Sequence, residues 1–140
     1  MIPIFKVVSM RKYSRQRELI LNYLKGTTAH PTAEQIYADL KPENPALSLS
    51  TIYRNLNLLS EYGVIQKLTT GEHGDRFDAD TREHSHFICS GCHQVMDVFS
   101  SLLDEKELVK ALGDNCEVLQ HKLYLYGVCS ACNAGKKEIN

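Results

Sequence analysis

This 140-residue chain has no apolar run approaching the roughly 20 residues that span a bilayer, which excludes a membrane-crossing helix. A typical export signal is missing as well. Residues 1–10 have no basic leader, carry Lys6 inside their only apolar stretch and offer no small-residue cleavage site. The expected location is therefore the cytoplasm, with no membrane partner. Nor is there a surplus of either charge: 16 Lys/Arg face 17 Asp/Glu, a net charge of −1, which argues against a uniformly basic nucleic-acid binder. Glycine and proline are sparse, at 8 and 4 residues, while 43% of the chain is hydrophobic and 24% charged. That composition excludes disorder and collagen-like repeats and leaves one domain, or two very small ones sharing a surface.

The neutral total hides an asymmetry. Residues 1–70 hold nine basic and five acidic side chains, a balance of +4, and residues 71–140 hold seven and twelve, a balance of −5. A basic front half suits an anion-binding module and an acidic back half suits a cation-binding one.

The front half has helical periodicity. Leu19, Ile20, Tyr23 and Leu24 form one stripe between a Ser14 cap and a Gly26 stop. A second helix opens at Thr32, carries Ala33, Ile36, Tyr37 and Leu40, and ends at Pro42. A third starts at the Ser48/Ser50 cap region, places Ile52, Leu56 and Leu59 at i, i+4, i+7, and stops at Gly63. The period then shortens. Residues 64–68 look like a strand, residues 71–74 a turn, and Arg76–Asp78 a returning strand.

Three helices and a hairpin make a winged helix-turn-helix, whose third helix enters the major groove of DNA. Its outward face would show Thr51, Tyr53, Arg54 and Asn57. Arginine and asparagine can pair bidentately with base edges, and tyrosine can contact a phosphate or a thymine methyl. Arg11, Lys12, Arg15 and Arg17 upstream would supply phosphate contacts. The same pattern also fits a helical hairpin with no DNA role.

The back half mixes short elements: a strand over 84–89, a partner over 94–99, a helix capped by Ser101 and running to Leu112, and a final strand over 117–126. About 55 residues make a meagre core, for which a structural metal is the usual remedy. Four of the five cysteines form two C-x-x-C pairs, Cys89/Cys92 and Cys129/Cys132, 36 residues apart. Four thiolates make the closed tetrahedral site of structural Zn(II), and Gly91 suits the tight turn of the first pair. Cys116 has no partner and is expected in the core of a strand. Cys92-His93 also completes a c-type haem attachment signature, but haem attachment goes with export and leaves the second pair unexplained. Thiol-disulfide catalysis wants one C-x-x-C opening a helix in a βαβ unit, which is absent.

A second set of donors contains no thiolate. His84 and His86, at i and i+2, share one strand face. Asp78 ends the segment before them, Asp97 lies on the strand expected to pair with theirs, and His30 precedes the second helix. Nitrogen and carboxylate ligands suit an exchangeable Fe(II), Mn(II) or Zn(II) site. His73 and His93 are expected to be ordinary core or surface residues.

Together these residues resemble the ferric uptake regulator (Fur) family from about Tyr13 to Cys132. The matching segments are Arg15-Gln-Arg17, Ala29-His30-Pro31-Thr32-Ala33-Glu34-Gln35-Ile36-Tyr37, Leu49-Ser-Thr-Ile-Tyr53-Arg54-Asn-Leu56, Arg76-Phe77-Asp78, His84-x-His86-x-x-Cys89-x-x-Cys92 and Tyr124-Leu-Tyr126-Gly127-x-Cys129-x-x-Cys132. The resemblance implies an α+β chain. Its winged-helix DNA-binding domain covers residues 1–80, and a small α/β dimerisation and metal-binding domain with the four-cysteine zinc covers 81–140, with a hinge near 78–84.

It further implies a regulatory Fe(II) or Mn(II) at His30, Asp78, His84, His86 and Asp97, and a homodimer that represses transcription from palindromic, AT-rich double-stranded operator DNA. Three histidines with two aspartates look like the peroxide-sensing (PerR) branch, in which the rings of His30 and His84 gain an oxygen. Iron-sensing members commonly carry Glu at the two Asp positions, and zinc-sensing members tend to place a Cys in the regulatory site. A third family metal site maps to Glu83, Ser85, Asp104 and His121, with Ser in place of one ligand. The chain departs from the family in an abbreviated first helix. The rival classes are a zinc-ribbon interaction module and, least favoured, a C-x-x-C oxidoreductase.

Overall fold

The computed structural model describes residues 14–70 and 74–139, with side chains described as far as Gly135. Arg11 and Lys12, and residues 71–73 of the expected turn, lie outside the described residues. The chain forms two compact units that divide between Arg82 and Glu83.

The first unit contains helices α1 (Arg15–Lys25), α2 (Ala33–Leu40) and α3 (Leu49–Glu61), with a short 3-10 turn at Lys41–Glu43 after α2. Their starts are set by side chains that satisfy otherwise orphaned amides. Ser14 accepts from Arg17 N, and Ser48 accepts from Thr51 N. Thr32 and Gln35 form a reciprocal capping box at the start of α2. After α3, Gly63 adopts φ +72°, the left-handed conformation open to glycine at little cost. Strands β1 (Gln66–Thr69) and β2 (Asp75–Asp78) then pair antiparallel, with Lys67 opposite Phe77. Ile20, Leu24, Ile36, Leu47, Ile52, Leu56, Leu59, Ile65 and Phe77 are buried together as one core, so the apolar stripes of all three helices face inward.

The second unit contains β3 (Ser85–Cys89), β4 (Val95–Val98), helix α4 (Glu105–Leu112), β5 (Tyr124–Gly127) and helix α5 (Ser130–Ile139). Its sheet has the order β4-β3-β5, with β3 antiparallel to β4 and parallel to β5. Here local expectation and structure part in four places. The helix expected from Ser101 begins at Glu105, because the Asp104 carboxylate accepts from Lys106 N and takes the cap. The long last strand shrinks to Tyr124–Gly127, where β3 offers a partner ladder. Cys116 is exposed in the irregular segment after the Asp114–Asn115 turn rather than packed in a strand. Helix α5, absent from the periodicity reading, follows Cys129 directly.

Candidate metal centre and nucleic-acid interface

Sheet topology brings the two C-x-x-C pairs together. Parallel pairing places the C-terminal ends of β3 and β5 side by side, with Cys89 opposite Gly127 and Ser90 N donating to Gly127 O at 2.7 Å. Each pair follows its strand at once, so a sequence gap of 36 residues closes to contact. One Sγ atom from each of Cys89, Cys92, Cys129 and Cys132 lies within 4.8 Å of the others. The Cys92–Cys129 separation is 3.8 Å, matching the edge of about 3.8 Å that tetrahedral Zn–S bonds of ~2.3 Å require.

The amides of Gly91, Cys92 and Cys129 point at Cys89 Sγ from 3.3, 3.5 and 3.3 Å. These donors, that of Cys129 first, pull the Cys89 thiol down to about 5. Cys132 goes the other way, to about 12, chiefly because it hydrogen-bonds Cys129 and then Cys89 and Cys92. One sulfur is thus prepared as a thiolate, while a second resists adding another negative charge. A divalent cation removes that resistance. A Cβ on Gly91 would lie 3.0 Å from Cys132 Sγ, so this glycine is needed for room beside the sulfur, while its backbone stays outside the left-handed region and does not itself demand glycine for the turn.

The other donors are organised within each unit. In the first, His30 is buried in the left-handed region at φ +52°, a conformation that concentrates at functional sites. Arg76 holds its carbonyl at 3.0 Å, and Phe77 N donates to Pro31 O at 3.0 Å. These bonds set His30 Nε2 3.3 Å from Asp78 Oδ2. In the second unit, antiparallel pairing puts Asp97 opposite His86. Asp97 Oδ1 lies 2.9 Å from His84 Nε2 and 3.3 Å from His86 Nε2, and the two imidazole centroids are 4.5 Å apart. Phe99 stacks on His84 at 4.6 Å, and Tyr124 stands 6.2 Å from His86. Sequence reasoning passed over both aromatics. Phe99 had a usable signal, since at i+2 from Asp97 it falls on the same strand face.

Of the third mapped site, Glu83 and His121 meet at 3.3 Å, and Glu105 rather than Asp104 joins them, 4.0 Å from His121. Asp104 is engaged as the α4 cap.

On α3, Tyr53, Arg54 and Asn57 are exposed and Thr51 is half-exposed, opposite the buried Ile52, Leu56 and Leu59; Arg15 on α1 is exposed too. The Tyr53 hydroxyl donates to Glu34 of α2. That bond raises the Tyr53 pKa and is the main cause lowering that of Glu34.

The model of the ferric uptake regulator family matches residues 9–126. The chain belongs to the ferric uptake regulator family. It is 42% identical over 123 residues to the peroxide operon regulator of Bacillus subtilis, an alignment covering 88% of this chain and 83% of that one. It is 37% identical over 130 residues to the peroxide-responsive repressor PerR of Staphylococcus epidermidis, covering 90% and 87%. The crystal structure of the Campylobacter jejuni peroxide stress regulator superposes with a TM-score of 0.69 at 28% identity, covering 94% of this chain and all of that one. These likenesses agree with the α+β architecture expected from the sequence. No helix among the described residues is long and apolar enough to cross a membrane.

Proposed function

We propose that this member of the ferric uptake regulator family is a cytoplasmic, metal-dependent transcriptional repressor that responds to peroxide, a regulator rather than an enzyme. In this reading Cys89, Cys92, Cys129 and Cys132 hold a structural Zn(II). His30, Asp78, His84, His86 and Asp97 hold a regulatory Fe(II) or Mn(II). The observation that carries it is the donor chemistry: imidazole and aspartate only, with Asp97 shared by His84 and His86 and Asp78 beside His30. Of the relatives named above, that at 37% identity is a peroxide-responsive repressor and that at 42% a peroxide operon regulator.

Bound Fe(II) supplies the electrons that reduce peroxide. The chain supplies oxidisable rings beside it, and a ring that gains oxygen binds metal poorly. Metal binding favours the DNA-competent shape, so loss of the ion lifts repression. The DNA surface is α3 with Thr51, Tyr53, Arg54 and Asn57, assisted by Arg11, Lys12 and Arg15. The homodimer forms through the second unit, where Met96, Phe99, Leu102, Val109, Leu112, Leu119 and Tyr126 are exposed, and α4 buries none of its residues. A dimer fits palindromic, AT-rich operator DNA.

The test is peptide mass spectrometry of the Fe(II) form, loaded anaerobically and then treated with peroxide, alongside gel shifts with operator DNA. Added oxygen on the His30 or His84 peptide with loss of DNA binding supports the reading, as does an Mn(II) form that binds DNA and ignores peroxide. Unmodified peptides with persistent DNA binding would move the assignment to an iron- or zinc-uptake regulator. No metal-dependent shift at all would leave a zinc-ribbon interaction module.

A further inference from the structure

Two polar side chains on the outward face of α3 are anchored by residues from other elements. Lys67 on β1 donates from Nζ to Oδ1 of Asn57 at 2.8 Å, and Asp75 on β2 lies 4.0 Å from the same ammonium. One turn earlier, Tyr53 is bonded to Glu34. An ammonium group has donors only, so it can face the amide oxygen of asparagine but not the amide nitrogen. The Asn57 NH2 group is therefore turned away from Lys67. An unanchored asparagine reads adenine with both ends of its amide, giving a proton to N7 and accepting one from the N6 amino group. With one lone pair of the oxygen engaged by a cation, the NH2 group is the unencumbered end, and a second donor reaching the other lone pair meets the charge of the ammonium. The NH2 group can satisfy a purine N7, a guanine O6 or a thymine O4, whereas the adenine amino group, itself a donor, is disfavoured at an oxygen that already faces an ammonium.

We infer that Lys67 is a specificity-setting positioning residue: by engaging the Asn57 amide oxygen with a cation, it makes Asn57 read acceptor edges in the major groove chiefly through its NH2 group. This rests on the reading of α3 as the DNA-contacting helix. The second half of a bidentate pair is the discrimination given up, and such a pair distinguishes bases by roughly fivefold to a hundredfold.

The experiment uses full-length protein loaded with zinc and Mn(II). Sequences are selected from a randomised duplex, and affinities are then measured on the selected site with single base-pair changes. Asn57→Ala should lose its preference at one base pair of each half-site. There the wild type should bind adenine and guanine within about twofold, since both offer N7. Lys67→Met should turn that position to adenine over guanine by roughly fivefold or more, and Lys67→Arg, which also donates, should keep the wild-type pattern. Zinc content and circular dichroism of each variant check folding. If Lys67→Met weakens every sequence equally and keeps the wild-type pattern, Lys67 is a phosphate contact and the inference is overturned. A wild type that already favours adenine fivefold at that base pair overturns it too, as does an Asn57→Ala profile identical to wild type while Arg54→Ala changes it. Failure of the underlying reading looks different: no sequence is selected, or Arg54→Ala and Asn57→Ala both leave the selected sequence unchanged.

Discussion

Gly91 shows how closely the cysteine cluster is fitted. A methyl group there would sit 3.0 Å from Cys132 Sγ and 3.3 Å from its Cβ. Real side chains do not approach so closely without one partner yielding. Gly91→Ala should therefore fold, but lose zinc to a chromophoric chelator several-fold faster than wild type, because the displaced sulfur leaves tetrahedral geometry. Zinc loss at the wild-type rate would mean that the second C-x-x-C gives way freely. Asp97 is a comparable pivot on the other donor set, since one carboxylate oxygen serves both His84 and His86. Asp97→Glu adds a methylene and shifts that oxygen. Metal-dependent DNA binding should survive while ring oxidation by peroxide slows, read as added oxygen per minute on the His84 peptide. Oxidation at the wild-type rate would show that the arm length at this position does not govern the reaction.

At the scale of elements, caps decide where helices begin. The sequence pattern points to Ser101 as the cap, and the structure places the cap three residues later, at Asp104. Asp104 takes the role because its carboxylate reaches Lys106 N at 3.0 Å and lies at the positive end of α4, where a negative charge is favourable. Asp104→Ala should cost about 1 kcal/mol in a denaturant titration of the second unit, and Ser101→Ala a few tenths or less. The reverse ranking would move the helix start upstream. In the first unit the caps Ser14, Thr32 and Ser48 stand where the sequence pattern expects them. Each is followed by a regular apolar stripe, and each helix packs into a core large enough to enforce that stripe.

The two units differ sharply in what holds them together. The first buries a broad aliphatic cluster with Phe77 inside it. In the second, the buried apolar side chains are Ile88 and Val95, with Cys89 and Cys129, among the described residues. So small a core is what the proposed zinc would reinforce, since a four-thiolate zinc can contribute ~10–16 kcal/mol. Strong chelation of the full chain should therefore raise amide hydrogen exchange across β3, β4 and β5, while α1, α2 and α3 keep most of their protection. Cys92→Ser should do the same without chelator. Uniform loss of protection across both units would show that they fold as one cooperative body. A Cys92→Ser protein that stays folded, dimeric and zinc-loaded would count against the four-thiolate assignment.

Much of this protein could be read from local sequence because its signals are short in range. Helix caps act over three residues, apolar stripes over seven, and a C-x-x-C pair delivers two thiols whatever surrounds it. The histidines at 84 and 86 share a face because strand geometry requires it. Tertiary structure decided which distant groups meet. Parallel pairing of β3 with β5 joined two cysteine pairs 36 residues apart, and antiparallel pairing with β4 set Asp97 opposite His86. It also left Cys116 outside any strand and set Lys67 against Asn57. The β3–β4 hairpin partnership was legible from the sequence, but its register and the pairing of β3 with the distant β5 follow from packing across the whole unit, so no local window of sequence contains them.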